Sequence, residues 1–165
     1  MGPGGPDRAA VPRPSEGEDT VGADLDVTYR GTVYPWHCDH MGHMNVMWYV
    51  GKFDEATWHL LAGIGITPGY LRDQGRGMVA VDQRISYRQE VRAGDLVVVR
   101  SAVLEVRDKV IRFCHRMENA ETGETAAVTV LTGVHLDTGT RRSCPLPEDL
   151  LTRARAAVTD HDPGL

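Results

Sequence analysis

Residues 34–45 read Tyr34-Pro35-Trp36-His37-Cys38-Asp39-His40-Met41-Gly42-His43-Met44-Asn45, and an apolar run from Val46 to about Ala62 follows at once. Val46, Tyr49, Val50, Phe53, Thr57, Leu60, Leu61 and Ile64 recur at steps of three and four, which is the stripe of an α-helix. Asn45 suits the N-cap, because its side-chain oxygen can accept an amide of the first turn. Met47, Trp48, Ala56 and Trp58 widen the apolar arc and predict a helix enclosed on most sides. Gly51 in its middle predicts a strand or partner backbone passing close by, and Gly63 and Gly65 supply the stop.

Upstream, residues 1–23 are rich in glycine, proline and acidic residues and lack hydrophobic periodicity, the composition of a disordered tail. From Leu25 to Tyr34 the pattern alternates. Leu25, Val27, Tyr29 and Val33 fall on one face and Asp26, Thr28, Arg30 and Thr32 on the other, a half-buried strand that Pro35 ends. Downstream, residues 67–77 read as a loop with one turn of helix. Four strand-like runs follow, at about Val79–Arg88, Leu96–Arg107, Val110–Glu118 and Thr125–Asp137, joined by turn-like links such as Ala93-Gly94-Asp95. Short links predict an antiparallel meander. A short amphipathic helix from about Pro147 to Val158 closes the chain. The expected organisation is a tail over 1–23, one α+β domain over 24–140, and a C-terminal extension over 141–165. One long helix against a curved antiparallel sheet of about five strands is the simplest packing.

The 165 residues suffice for one core, with 41% hydrophobic and 25% charged residues. A net charge of −5 without a dominant lysine or arginine cluster argues against a nucleic-acid partner. No run approaches the length of a membrane helix, and no apolar signal core opens the chain. Cys38, Cys114 and Cys144 are far apart and odd in number, which speaks against a disulfide framework. The expectation is a cytoplasmic protein.

Chemistry is densest in the opening stretch. Asp39 lies directly ahead of a helix N-terminus, whose free amides favour developing negative charge. A carboxylate there can activate water or attack a carbonyl, while the amides hold the oxyanion. Equally, an aspartate in this position can simply cap a turn. His37, Cys38, His40 and His43 suggest a metal only superficially, since ligands adjacent in sequence do not converge tetrahedrally, and no metal is expected. Asp54 sits beside the helix stripe and can reach a site from there. Trp36, Trp48 and Trp58 can line an acyl pocket or be core. Arg84, Arg88 and Arg92 recur every fourth residue, which on a strand puts the first two on one face, suited either to substrate phosphates or to solvent.

The pattern Val33-x-Pro35-x-x-x-Asp39-x-x-Gly42-His43-x-Asn45 runs into an aromatic-rich helix with Tyr49, followed by Tyr87 and Val91-x-x-Gly94-Asp95. Over roughly residues 25–140 it resembles the hot-dog-fold acyl-CoA thioesterases of the 4-hydroxybenzoyl-CoA thioesterase type. The resemblance implies a hot-dog fold and hydrolysis of an acyl-CoA or acyl-carrier-protein thioester without a cofactor. By the motif it gives Asp39 the role of base or nucleophile and the amide of about Val46 that of polarising the carbonyl, with His43 and Asn45 beside them. With the residue readings above, the expected substrate contacts are Gly42, Trp48, Tyr49, Asp54, Arg88 and Arg92. It also implies a homodimer or homotetramer with active sites at the subunit interface. Two departures stand out: His37 occupies a place often acidic, and Val46 one often asparagine. Competing expectations are a hot-dog hydratase or dehydratase using a histidine with Asp54, and a non-catalytic acyl-binding module.

Overall fold

The computed structural model describes residues 25–165, so the expected tail over 1–23 lies outside the described residues. Its chain runs β1 (Asp26–Thr32), a 3-10 turn (Pro35–His37), α1 (Val46–Gly63), α2 (Pro68–Asp73), β2 (Arg76–Tyr87), β3 (Leu96–Arg107), β4 (Val110–Asn119), β5 (Thr125–Asp137), the short β6 (Arg142–Ser143) and α3 (Glu148–Ala156). The sheet order is β1-β3-β4-β5-β2, all neighbours antiparallel, with β6 added beside β5. This curved sheet around one long helix is the hot-dog fold. Only β3, β4 and β5 form a meander. β2 departs from that expectation by pairing with β5 at the far edge, and β1 takes the free side of β3.

Asn45 begins α1 as expected, its Oδ1 accepting the Met47 amide at 3.1 Å. Tyr49, Lys52, Phe53, Ala56, Thr57, Leu60 and Leu61 form the buried stripe. Lys52 is buried because its stem packs inward while Nζ donates to the Tyr29 hydroxyl at 3.0 Å and the Thr32 carbonyl at 3.3 Å. The opposite face is open: Val46, Met47, Val50, Asp54 and Trp58 are exposed, so α1 is covered on one side only in a single chain. Among the described residues, nothing outside the local helix backbone lies within 4 Å of where a Gly51 Cβ would stand, so none of the described strands approaches it. The helix ends at Gly63, and Gly65 turns the chain with φ +97°.

Alternation fails in β1 at a bulge. Val27 pairs with Arg100 and Tyr29 with Val99, which leaves Thr28 as the extra residue. Val27 is therefore 40% exposed while Thr28 turns inward at 9%. There the Thr28 hydroxyl lies 2.5 Å from that of Ser101, which lies 2.6 Å from His115 Nδ1; His115 Nε2 is 2.9 Å from the Thr57 hydroxyl, itself donating to the Phe53 carbonyl at 2.9 Å. Because the single Thr57 proton goes to that carbonyl, His115 Nε2 carries the ring proton and Nδ1 accepts from Ser101. With the Ser101 proton given to His115, Ser101 accepts from Thr28 at 2.5 Å, a much shorter contact than the 3.4 Å from the Thr28 hydroxyl to the Val99 carbonyl. This chain of hydroxyls pins β1, β3, β4 and α1 together. Burial pushes the fully enclosed His115 down to about 3.

The core extends along α1. Toward the helix start, Tyr49 and Phe53 pack with Val33, Met44, Val91 and Met117. Toward its end, Leu60 and Leu61 pack with Ile111, Phe113 and, from the C-terminal segment, Leu146, Leu150 and Ala154. The last residues return across the sheet, where Gly164 offers its carbonyl to Arg88 Nη2 at 2.8 Å. No helix among the described residues is long and apolar enough to cross a membrane.

Candidate active site

The segment between β1 and α1 folds as a miniature hairpin. Cys38 bridges Met44, the Asp39 amide donates to the His43 carbonyl at 3.2 Å, and Gly42 N–H returns to the Asp39 carbonyl at 3.0 Å. Closing that turn requires φ +84° at residue 42, which suits glycine. The hairpin is tied down where the Met44 amide reaches the Val91 carbonyl at 2.8 Å and the Asn45 amide reaches the His37 carbonyl at 2.9 Å.

Within this turn both Asp39 oxygens have donors. Oδ1 accepts the Met41 amide at 2.9 Å and Oδ2 accepts Asn45 Nδ2 at 2.8 Å. The Asn45 side chain, then the Met41 N–H, hold the Asp39 carboxyl below the usual aspartate range. Asn45 thus acts twice, capping α1 with its oxygen and gripping Asp39 with its nitrogen. The amide of Val46, at the first helical position, has no acceptor among the described residues. An ionised carboxylate one asparagine away from a free helix amide can act as a base while the amide receives an oxyanion.

His37, where the resemblance often has an acid, is buried. Its Nδ1 accepts the Tyr34 amide at 3.0 Å, which leaves the neutral ring's proton on Nε2, and its ring tilts against Trp48 with centroids 4.3 Å apart. Burial, with Lys52 nearby, lowers its proton affinity, and Glu55 opposes this. His37 and Trp48 therefore brace the hairpin against the helix. Tyr34 and Trp36 stack on each other at 4.5 Å on the exposed side.

Beside the helix start lies a cavity of about 330 Å³ lined by His43, Met44, Val46, Tyr49, Tyr87, Arg88, Gln89 and Glu90. Tyr49 donates its hydroxyl to the Gln89 carbonyl at 3.3 Å, and its ring meets Tyr87 edge to face at 5.2 Å. His43 Nε2 and Arg92 Nη2 each lie 3.6 Å from the Glu90 carboxylate. The larger cavity, about 480 Å³, sits at the opposite end of α1 by His59 and Ser101, away from Asp39.

The expected residues are thus largely gathered: Asp39, Gly42, His43, Asn45 and Val46 share the hairpin and helix start, with Tyr49 and Arg88 at the adjoining cavity and Arg92 reached through Glu90. Asp39 itself is not among the cavity's lining residues. Asp54 stands apart, two turns along α1, accepting from Trp58 Nε1 at 3.3 Å beside a small separate cleft. Arg84 and Arg88 are not brought together. Arg84 shares a cleft with Arg112 and the C-terminal segment, whereas Arg88, past the end of β2, lines the cavity beside Val46 and reaches the same segment only at the Gly164 carbonyl. Glu90 and Gln89 went unnoticed in the sequence. Their signal was their place just after the strand that ends in Tyr87, where a short link must return toward the helix start. Among the described residues no group of three or more His, Cys, Asp or Glu side chains has the arrangement of a metal site.

Residues 33–154 match the model of the thioesterase-like superfamily. The chain belongs to that superfamily. A member from Agrobacterium fabrum, an L-carnitine dehydrogenase/betainyl-CoA thioesterase, is 34% identical over 113 residues, which cover 68% of this chain but only 23% of that longer protein. The chain thus spans about a quarter of that relative. A betainyl-CoA thioesterase from Pseudomonas aeruginosa is 26% identical over 134 residues, covering 81% of this chain and 84% of the relative. A Staphylococcus aureus protein whose structure was solved in complex with CoA superposes with a TM-score of 0.75 at 17% identity, over 84% of this chain and 89% of that one. At that identity the likeness is one of fold.

Proposed function

We propose that this member of the superfamily hydrolyses acyl-CoA thioesters, or those of an acyl carrier protein, with Asp39 as base or nucleophile. The observation that carries the proposal is the double grip of Asn45, which couples an ionised Asp39 to the start of α1 and its free Val46 amide. As base, Asp39 takes a proton from water while the oxygen bonds to the thioester carbon. The Val46 N–H receives the oxyanion, collapse breaks the C–S bond, and the departing thiolate takes the proton that Asp39 accepted, which leaves free acid and thiol and restores the carboxylate. As nucleophile, Asp39 itself bonds to the carbon and expels the thiolate, and water then cleaves the mixed anhydride.

A single chain leaves the site open on one side. The exposed Met47, Val50 and Trp58 on α1 and the free edge of β2, where Val81 is 60% exposed, support a homodimer or homotetramer whose interface completes the pocket. Gly51, with open space above it, then meets a partner rather than a strand of its own chain. Arg88 and the exposed Arg92 are the candidates for CoA phosphates. The three free cysteines suit a reducing, cytoplasmic setting.

The test is thiol release from a panel of acyl-CoA and acyl-carrier-protein thioesters, by wild type and Asp39→Asn. Betainyl-CoA comes first on that panel, in view of the named relatives. Wild type is expected to cleave at least one thioester, and Asp39→Asn to lose about 10²–10⁴-fold in kcat. Unchanged turnover in the variant would remove Asp39 from the chemistry.

A further inference from the structure

We propose that the cavity beside Val46 receives the positively charged end of an acyl group, an alkylammonium or quaternary ammonium, with Tyr49 and Tyr87 as walls and Glu90 as counter-charge. The inference rests on the thioesterase proposal above and deepens it to a class of substrate.

Three features of the cavity carry it. Val46 and Tyr49 are three residues apart on one helix face, so the aromatic wall begins about one turn, roughly 5 Å, from the amide proposed to hold the carbonyl. Tyr87 meets Tyr49 at an interplanar angle of 79°, so the two rings enclose a corner rather than a flat stack. A ring face attracts a cation through its quadrupole, and two rings at right angles are how cages for methylated ammonium groups are built. Both phenols are neutral at physiological pH, and burial raises them further from ionisation.

The third feature is charge. Glu90 is the carboxylate on the cavity wall, and it faces His43 and Arg92, each at 3.6 Å. Arg92 is 73% exposed at its side chain, so that pair is a solvent-screened contact, long and weak. Arg88 also lines the cavity, but its Nη2 is drawn away to the Gly164 carbonyl at 2.8 Å. A substrate carboxylate placed here would meet Glu90, whereas an acyl group ending in a cation finds there a counter-charge.

The experiment compares betainyl-CoA with 3,3-dimethylbutanoyl-CoA, in which carbon replaces the charged nitrogen at the same shape. Wild type is expected to favour the cation by about tenfold or more in kcat/KM. Tyr87→Leu should bring the ratio within about threefold of unity, Tyr87→Phe should retain it, and the exposed Glu90→Gln should lower it, through KM rather than kcat. A wild-type ratio of one or less, or a ratio untouched by both Tyr87→Leu and Glu90→Gln, overturns the proposal. If wild type cleaves neither compound nor any other thioester of the panel, the thioesterase proposal fails by itself. Calorimetric affinities of the two thioesters for wild type then decide this one: equal affinities overturn it, and tighter binding of the cation upholds it.

Discussion

Asn45 Nδ2 stands 2.8 Å from Asp39 Oδ2 while Asn45 Oδ1 accepts the Met47 amide at 3.1 Å, so one side chain sets both the helix start and the carboxylate. Removing it should act on each. Asn45→Ala is expected to lower thermal stability by about 1 kcal/mol through the lost cap. If Asp39 is the base, the same substitution should also raise the acidic limb of the kcat/KM profile toward the ordinary aspartate value, because the Asn45 hydrogen bond is the largest cause of the lowered Asp39 affinity for protons. A limb that stays where it was in wild type would show that some other group titrates.

Gly42 closes the Asp39 turn at φ +84° with open space around it, so a larger residue there is opposed by backbone conformation rather than by crowding. Gly42→Ala should cost about 1–2 kcal/mol. It is expected to lower kcat more than it raises KM, because Gly42 sets the turn that orients Asp39 and is not itself among the residues lining the cavity. Steady-state kinetics beside a thermal melt separates the two effects.

His115 makes stability depend on acid. Burial holds its folded proton affinity down to about 3, whereas an unfolded chain binds a proton near 6.5. Between those values the unfolded state carries more protons, so unfolding free energy falls as pH drops from 6.5, by up to about 1.4 kcal/mol per unit. His115→Leu should abolish that part of the slope. It should also lose ~1–3 kcal/mol at pH 8, from the buried Ser101 hydroxyl left without its acceptor. Urea unfolding of both proteins from pH 4.5 to 8 reads the difference in slope.

Met47 and Val50 are exposed on the open face of α1. If that face meets a second copy, Met47→Glu with Val50→Glu should convert the assembly to monomer in sedimentation velocity and remove activity, while circular dichroism of the monomer stays near that of wild type. A wild type that sediments as a monomer at working concentration would remove the interface proposal directly.

The sequence made α1 legible because capping and a 3.6-residue stripe are local signals: Asn45, the stripe from Tyr49 to Leu61, and Gly63 all lie within one stretch. The Asp39 turn was legible for the same reason, through Gly42. Sheet order was not. β2 and β3 are joined by a short link, yet β2 pairs with β5 across Tyr87 and Ala127, a choice that curvature around α1 makes and alternation cannot encode. The openness of α1 was hidden too, since Val50 and Trp58 read as core in any single sequence. Tyr87, Glu90 and His43 meet only after β2 has travelled out and back, so their corner is a product of topology.

The bulge at Thr28 bears on how the chain reaches one structure. An unbulged β1 would continue to pair with β3 through its backbone, but it would send Val27 inward and withdraw Thr28 from Ser101. His115 would then face a buried serine lacking one of its partners, and a misregistered strand would strand a polar group in the core. Two hydroxyls and an imidazole thereby discriminate between neighbouring registers of an edge strand that hydrophobicity alone would accept in either, and folding fidelity at this edge depends on polar rather than apolar residues.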